Sequence, residues 1–426
     1  MGRLLERDTE LETLERVAHE VLAGRGRLVL VSGEAGIGKT SLVNALRERL
    51  EGSVAMLVGA CEPLSVPAPL APIRELVEAA GSPELGWEEP DRIRLARSVL
   101  DVLEQRAPVV AVIEDAHWAD PTTVDVVRLL ARRLEQRPVA LVVTYRDDEL
   151  RSNPALAQLV GDFVTGQGVE RVGLAPLSTA AVRDLAQQAG VDADRLRTVT
   201  GGNPFLVFES IAAGEELPTS VRDAVLARAG RLSDAAREAV EAAAVLGQRS
   251  SPAVLDQVAP DSGPGVEEAL ARGVLVSDGA VLGFRHELVR EALESALSPH
   301  RRAQLHARVV RALESQHGEP DYARLAHHAE LAGLSVAACG YAAQAAYEAR
   351  RLGALREAAL QSERALRLGA GLSASERLAL LVLRSRTTNF ASVRLQDAVE
   401  AAEEAIALAV KLGDPVGHGR SLIALS

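Results

Sequence analysis

Up to about residue 176, short continuous apolar runs alternate with segments in which apolar residues recur three and four apart. The runs at 28–31, 54–58, 109–113 and 139–145 read as short buried strands, and 169–174 would be a fifth strand. Leu14, Val17, Ala18 and Val21, then Leu42, Val43, Leu46 and Leu50, lie at helical spacing, and 73–80, 93–103 and 123–134 also read as helices. Alternation of this kind predicts a parallel sheet with helices on both faces. Residues 63–72 are too proline-dense for regular structure.

From Ser178 the pattern changes to short helices. Leu174-Ala175-Pro176-Leu177-Ser178 reads as a boundary with a helix cap, and Gly201-Gly202-Asn203-Pro204-Phe205 as a turn into a helix over 206–213. Helices are expected near 219–230, 233–247 and 265–273. Short strands at 274–276 and 281–284 follow, joined at Asp278-Gly279, a favoured hairpin turn. From about Asp321 the chain is helical and alanine-rich, and the pattern of 358–366 returns at 401–409, a spacing within the range of helical repeats. Residues 422–426 read as the start of a further repeat, which predicts a chain truncated from something longer.

Composition narrows this picture. A length of 426 residues suggests about three domains. Aromatics are only 3%, which favours Ala/Leu helical packing over an all-β protein. A net charge of −12 argues against nucleic-acid binding as the main task. Cys61 and Cys339 have no metal or redox spacing, the N-terminus has no signal-like apolar core, and no apolar run approaches the roughly 18 residues of a membrane span. A cytoplasmic protein with no membrane partner is the expectation.

The chemistry centres on Gly33-Glu34-Ala35-Gly36-Ile37-Gly38-Lys39-Thr40, followed by Ser41. It joins a strand to a helix, the context of a phosphate-binding P-loop. Glycines let successive backbone N–H groups point at phosphate oxygens, and the new helix adds its positive end. Lys39, one of two lysines in the chain, would reach the β- and γ-phosphates, and Thr40 would offer its hydroxyl to Mg²⁺. The run at 109–113 ends in Glu114-Asp115, the acidic half of such a site: one acid holds Mg²⁺, the other orients or deprotonates the attacking water. Glu114 is the candidate beside Thr40 for the metal, although the division of roles between Glu114 and Asp115 is open. Asp120-Pro121 reads as a helix cap, and His117 fits either a packing role or an approach to the γ-phosphate. Arg146 ends the fourth strand, where it can sense the γ-phosphate or simply open the acidic turn Asp147-Asp148-Glu149. Arg7 belongs to a lead-in segment that in P-loop proteins often sits beside the nucleotide base; a plain surface helix fits its spacing equally.

In their order, Leu5-Glu6-Arg7-Asp8-Thr9-Glu10-Leu11, the P-loop, 114–120, Thr144-Tyr145-Arg146, Gly202-Asn203-Pro204 and Phe284-Arg285-His286 resemble the STAND class of signal-transduction ATPases. They look most like the large LuxR-type transcriptional regulators of bacteria, the group that includes the maltose regulator. The resemblance implies an α/β P-loop NTPase domain over 1–176, a helical lid over 177–216, a winged-helix domain over 217–316 and tetratricopeptide-like α-solenoid repeats over 317–426. It implies that Pro204 packs on adenine and that His286 contacts the β-phosphate of ADP in a closed state. An inducer, small molecule or protein, would act at the repeats, ATP would replace ADP, and the open form would self-associate. Weak ATP hydrolysis would reset it. Glu114 departs from the family, in which this acid is commonly Asp. The C-terminal helix-turn-helix of the full-length regulators is absent from this sequence, so DNA is expected as a partner only through that missing domain. The alternatives are a motor-type AAA+ ATPase acting on nucleic acid, a STAND ATPase coupled to another effector such as a nucleotide cyclase, and a scaffold with a dead nucleotide site.

Overall fold

The computed structural model describes residues 4–425 apart from 65, 83–84, 88–90, 164–167, 214–224, 227, 278–280, 285, 317–318 and 389–394. Strands β1 (Leu28–Ser32), β2 (Ala55–Ala60), β3 (Val109–Glu114), β4 (Val139–Tyr145) and β5 (Val169–Gly173) form one sheet in the order β2-β3-β4-β1-β5. Every pairing in it is parallel. Helices α1 (Asp8–Leu22), α2 (Lys39–Leu50), α3 (Ala71–Ala79), α4 (Arg92–Glu104), α5 (Pro121–Ala131) and α6 (Pro154–Asp162) cover its two faces. Alternate residues of each strand enter different cores. Leu28, Leu30, Ala111, Ile113, Leu141 and Val143 pack with α3 to α6. Val29, Val31, Val110, Val112, Ala140 and Val142 pack with α1 and α2. Burial on both faces is why these strands read as unbroken apolar runs.

The apolar pattern gives no element between β4 and β5, yet α6 forms there. Its signals are local: Asn153 accepts from the Leu156 amide at 3.2 Å, and Pro154 takes the first helical position. In the sheet register, Val31 lies opposite Thr144 and Ile113 opposite Val143. The segments after β1, β3 and β4 therefore emerge side by side along one edge of the sheet, where open α/β folds bind ligands.

Helices α7 (Thr179–Ala189), α8 (Ala193–Thr200) and α9 (Pro204–Ala213) enclose a small core of Leu177, Val182, Ala186, Leu196 and Val207. Ser178 caps α7, accepting from the Ala181 amide at 3.1 Å. Beyond them, β6 (Arg249–Ser250), β7 (Leu275–Ser277) and β8 (Leu282–Phe284) form a three-stranded antiparallel sheet in the order β6-β8-β7. Helices over Asp234–Leu246, Pro252–Val258, Gly263–Ala271, Glu287–Ala296 and Pro299–Glu314 surround it. The apolar pattern missed β6, which is too short to show periodicity. The Asp278-Gly279 turn and most of the helix expected over 219–230 lie outside the described residues.

The remaining helices, from Tyr322–Leu331 and Ser335–Arg351 through Leu355–Leu368 and Ala374–Thr388 to Leu395–Leu412 and Pro415–Leu425, each pack on the next. Small residues at their contacts, among them Ala326, Cys339, Ala342, Ala346 and Ala365, let the backbones approach closely. This region touches the first sheet domain through Arg92, which donates to the Gly353 carbonyl at 2.6 Å, and through Arg74, 3.4 Å from Glu348. No helix among the described residues is long and apolar enough to cross a membrane.

Candidate nucleotide site

The loop after β1 curls through Gly33, Gly36 and Gly38, all at positive φ. Gly38, at φ 106°, is the residue before α2, and no side chain caps that helix end. Its first-turn N–H groups thus face the concavity of the loop, an arrangement suited to an anion. Lys39 is buried, and its Nζ donates to the carbonyls of Gly33 at 2.8 Å and Glu34 at 2.9 Å. An ammonium has three donors, so one remains for a ligand. Burial lowers the Lys39 pKa, and the nearby Asp115 charge works against that shift.

Ala35, Gly36, Gly38, Lys39, Thr40 and Ser41 line one wall of a pocket, and Asp115 and Arg146 line another. Asp115 has φ 54°, a left-handed conformation that Asp tolerates, and its amide donates to Thr144 Oγ1 at 3.0 Å. Glu114 does not line the pocket. It lies buried behind, with Oε2 3.5 Å from Arg249 Nη1 on β6 and Oε1 without a hydrogen-bond partner. Both acids are held above their ordinary pKa range, chiefly by burial. Lys39 and Arg146 pull Asp115 back down, while Arg249 and the Thr40 hydroxyl do so for Glu114. The Thr40 hydroxyl and the orphaned Glu114 oxygen, with Asp115 beside them, are an oxygen donor set that fits Mg²⁺.

Arg146 is buried, ion-paired to Glu149 and stacked over the Trp118 ring at 5.1 Å. It therefore presents a fixed charge to the pocket. His117 takes the packing role: its ring lies 4.4 Å from that of Trp118, and burial with the charges of Arg146 and Lys39 lowers its pKa to about 3. It stays neutral at physiological pH. Asp120 caps α5, accepting from the Thr123 amide at 3.0 Å.

A third wall comes from far along the chain. Gln248, His286 and Glu287 line the same pocket as Lys39 and Thr40. His286 precedes the helix Glu287–Ala296, and its ring packs on Phe205 with centroids 4.6 Å apart. The Phe205 amide donates to the Gly36 carbonyl at 3.3 Å, and Asn203 Nδ2 donates to the Ala35 carbonyl at 2.8 Å. Gly36 is the point where these parts meet. A Cβ there would stand 2.9 Å from Phe205 Cβ, 3.0 Å from Asn203 Oδ1 and 3.3 Å from a Leu288 methyl, at a φ of +75°. Gly36→Ala is therefore expected to loosen the 203–205 contact, read as faster hydrogen exchange at the Phe205 amide than in wild type. Unchanged exchange would mean that this contact does not hold the segment.

The remaining sequence candidates sit around the pocket rather than in it. Arg7 is buried and donates to the carbonyls of Ile37 at 3.3 Å and Ala175 at 2.5 Å, so it ties the loop to the end of the sheet domain. Ile37 anchors the loop in the core, 1% exposed. Pro204 opens α9 next to the Asn203 and Phe205 contacts. Arg285 lies outside the described residues. Sequence reading missed Gln248, Arg249 and Glu287. Glu287 looks like any acid in a first helical turn, which favours the helix dipole wherever it occurs. Nothing in the sequence marks it as facing a phosphate loop.

The sheet order and the pocket define an α/β fold of the P-loop ATPase type. Residues 3–143 match the AAA ATPase domain family. The chain as a whole is similar to an uncharacterized protein of Rhizobium meliloti (strain 1021), 28% identical across 90% of this chain. The chain spans 44% of the length of that relative. Its fold is similar to that of the Pyrococcus horikoshii STAND protein with a tetratricopeptide repeat sensor, at a TM-score of 0.54 and 14% identity, over 100% of this chain and 74% of that one. The Aeropyrum pernix ORC1 protein, solved in complex with DNA, is similar over 70% of this chain and 94% of that one, at 17% identity and a TM-score of 0.37, too distant to carry an argument.

Proposed function

We propose that the chain is the nucleotide-controlled switch of a LuxR-type transcriptional regulator. In this reading α7 to α9 are the lid, the unit around β6 to β8 is a winged helix, and the alanine-rich helices are tetratricopeptide-like sensor repeats. The observation that carries it is the shared pocket: His286 and Glu287 stand against the P-loop, so the phosphate site is walled by an element far along the chain. A simple hydrolase needs no such wall. A switch does, because its ligand must bind two arrangements with different affinity.

The chain's own groups divide the work. Lys39, the α2 N-terminus and the loop amides bind phosphate oxygens, and His286 adds a contact that exists only when the winged helix is folded back. Asp115 faces the pocket, placed to orient water at the terminal phosphate, and Arg146 senses that phosphate. Mg²⁺, held by Thr40 and Glu114, would neutralise charge building on the transferred phosphoryl group. Arg249 lies 3.5 Å from Glu114; in this reading that pair would hold the acid away from Mg²⁺ in the closed arrangement and keep hydrolysis idle. Opening, caused by an inducer at the repeats, would release that acid, admit ATP and expose surfaces for self-association. DNA would be reached through a domain outside this sequence.

Small-angle scattering tests this reading. With MgADP the chain should keep the compact profile of this structure, and with Mg²⁺ and a non-hydrolysable ATP analogue it should expand or associate. Identical profiles, together with turnover stimulated by DNA, would point to a nucleic-acid motor and against the switch.

A further inference from the structure

We propose that Glu287 is the residue that excludes the γ-phosphate from the closed pocket, so that the closed arrangement accepts a nucleoside diphosphate and rejects the triphosphate. The proposal rests on the switch reading and supplies the origin of its discrimination.

Glu287 is the first residue of the helix that walls the pocket, and it lines that pocket with Lys39, Thr40, Asp115 and Arg146. It is 6% exposed. Its Oε1 is gripped by Arg290, whose Nε and Nη2 both lie 2.6 Å away. Arg290 is itself fixed by the Ala244 carbonyl at 3.1 Å and by Glu294. The carboxyl therefore cannot swing aside. Its other oxygen, Oε2, is buried and accepts no hydrogen bond. Leaving a buried acceptor unpaired destabilises the fold, so its presence calls for a reason beyond packing.

Its neighbours supply one. Lys39, Arg146 and the α2 N-terminus all favour phosphate, and a fixed acid opposite them does the reverse once ionised: burial raises the Glu287 pKa to about 7 while Arg290 pulls it down, so the charge is fully present only above that pH. It does not block an anion held deep in the loop. It penalises a further phosphoryl group extending toward Thr40 and Asp115, the acidic side of the pocket. Selectivity built from an unfavourable charge against the wrong ligand is a general route to discrimination. The same charge explains how ATP would push the helix Glu287–Ala296 away: the triphosphate fits only when Glu287 has left.

The test compares Glu287→Gln with wild type in the full chain at about pH 8, where Glu287 is ionised, titrated with MgADP and with Mg²⁺ and a non-hydrolysable ATP analogue. The amide keeps the shape and the Arg290 contact but removes the charge. The analogue should bind about ten-fold tighter or more, and ADP should change by less than about three-fold. Glu287→Ala should move the ratio of dissociation constants in the same direction, which separates charge from an altered Arg290 contact. Weaker binding of both nucleotides would overturn the proposal and make Glu287 a cation ligand or a structural group. A ratio unmoved in both variants also overturns it. His286→Ala run in parallel separates the two levels: if it shifts the ratio while the Glu287 variants do not, the switch stands and only the role of Glu287 falls. If none of them shifts the ratio, the switch reading falls with it.

Discussion

Lys39→Ala is expected to remove measurable binding of both ATP and ADP while the fold survives. Lys39 is buried, donates to the loop carbonyls of Gly33 and Glu34, and has Asp115 as the main opposing charge acting on it. Truncating one partner of a buried, hydrogen-bonded charge pair costs about 2–5 kcal/mol, so affinity should fall at least thirty-fold and by as much as several thousand-fold. The cost to stability should be smaller. Two carbonyls lose a donor, but the hydrophobic face of α2, Leu42, Val43 and Leu46, is untouched. Titration with a fluorescent nucleotide, alongside far-ultraviolet circular dichroism, checks both parts. Tight ADP binding retained by a folded Lys39→Ala would contradict the placement of the phosphates.

Asp115→Asn and Glu114→Gln should each slow hydrolysis by about a hundred-fold or more, the usual range for loss of a positioned acid–base group. The geometry separates their signatures. Asp115 faces the pocket and Lys39, so Asp115→Asn should depress turnover with little change in Mg²⁺ requirement. Glu114 lies behind Thr40 with an unpartnered oxygen, so Glu114→Gln should also raise the Mg²⁺ concentration needed for nucleotide binding. Phosphate release measured across a Mg²⁺ series distinguishes them. Unchanged turnover in both variants would remove the acid pair from the hydrolytic centre.

The sheet domain was legible because its signals are local and redundant. Strands β1, β3 and β4 are buried on both faces and therefore almost wholly apolar, and the loop 33–40 combines pattern with strand–helix context. Asp120 and its cap were readable for the same reason. What the chain order does not carry is the third wall of the pocket. Gln248, Arg249 and Glu287 acquire meaning only once the unit around β6 to β8 lies against the P-loop, and no periodicity encodes that approach. The strand β6 is two residues long and α6 is announced by its cap and proline rather than by an apolar stripe, so both fall below the resolution of pattern reading. His117 shows the opposite case: two roles fit its position in sequence, and burial against Trp118 decides for packing.

The central claim is that the element carrying His286 folds back on the P-loop and favours ADP. The ratio of ADP to ATP dissociation constants in wild type and His286→Ala tests it most directly. A hydrogen bond from an imidazole to a charged phosphate is worth about 1.5–3 kcal/mol, so its loss should weaken ADP by about ten-fold to a hundred-fold and leave ATP nearly unchanged. An unchanged ratio would show that His286, packed on Phe205 at the start of its helix, is a structural residue and that the clamp does not operate in this chain.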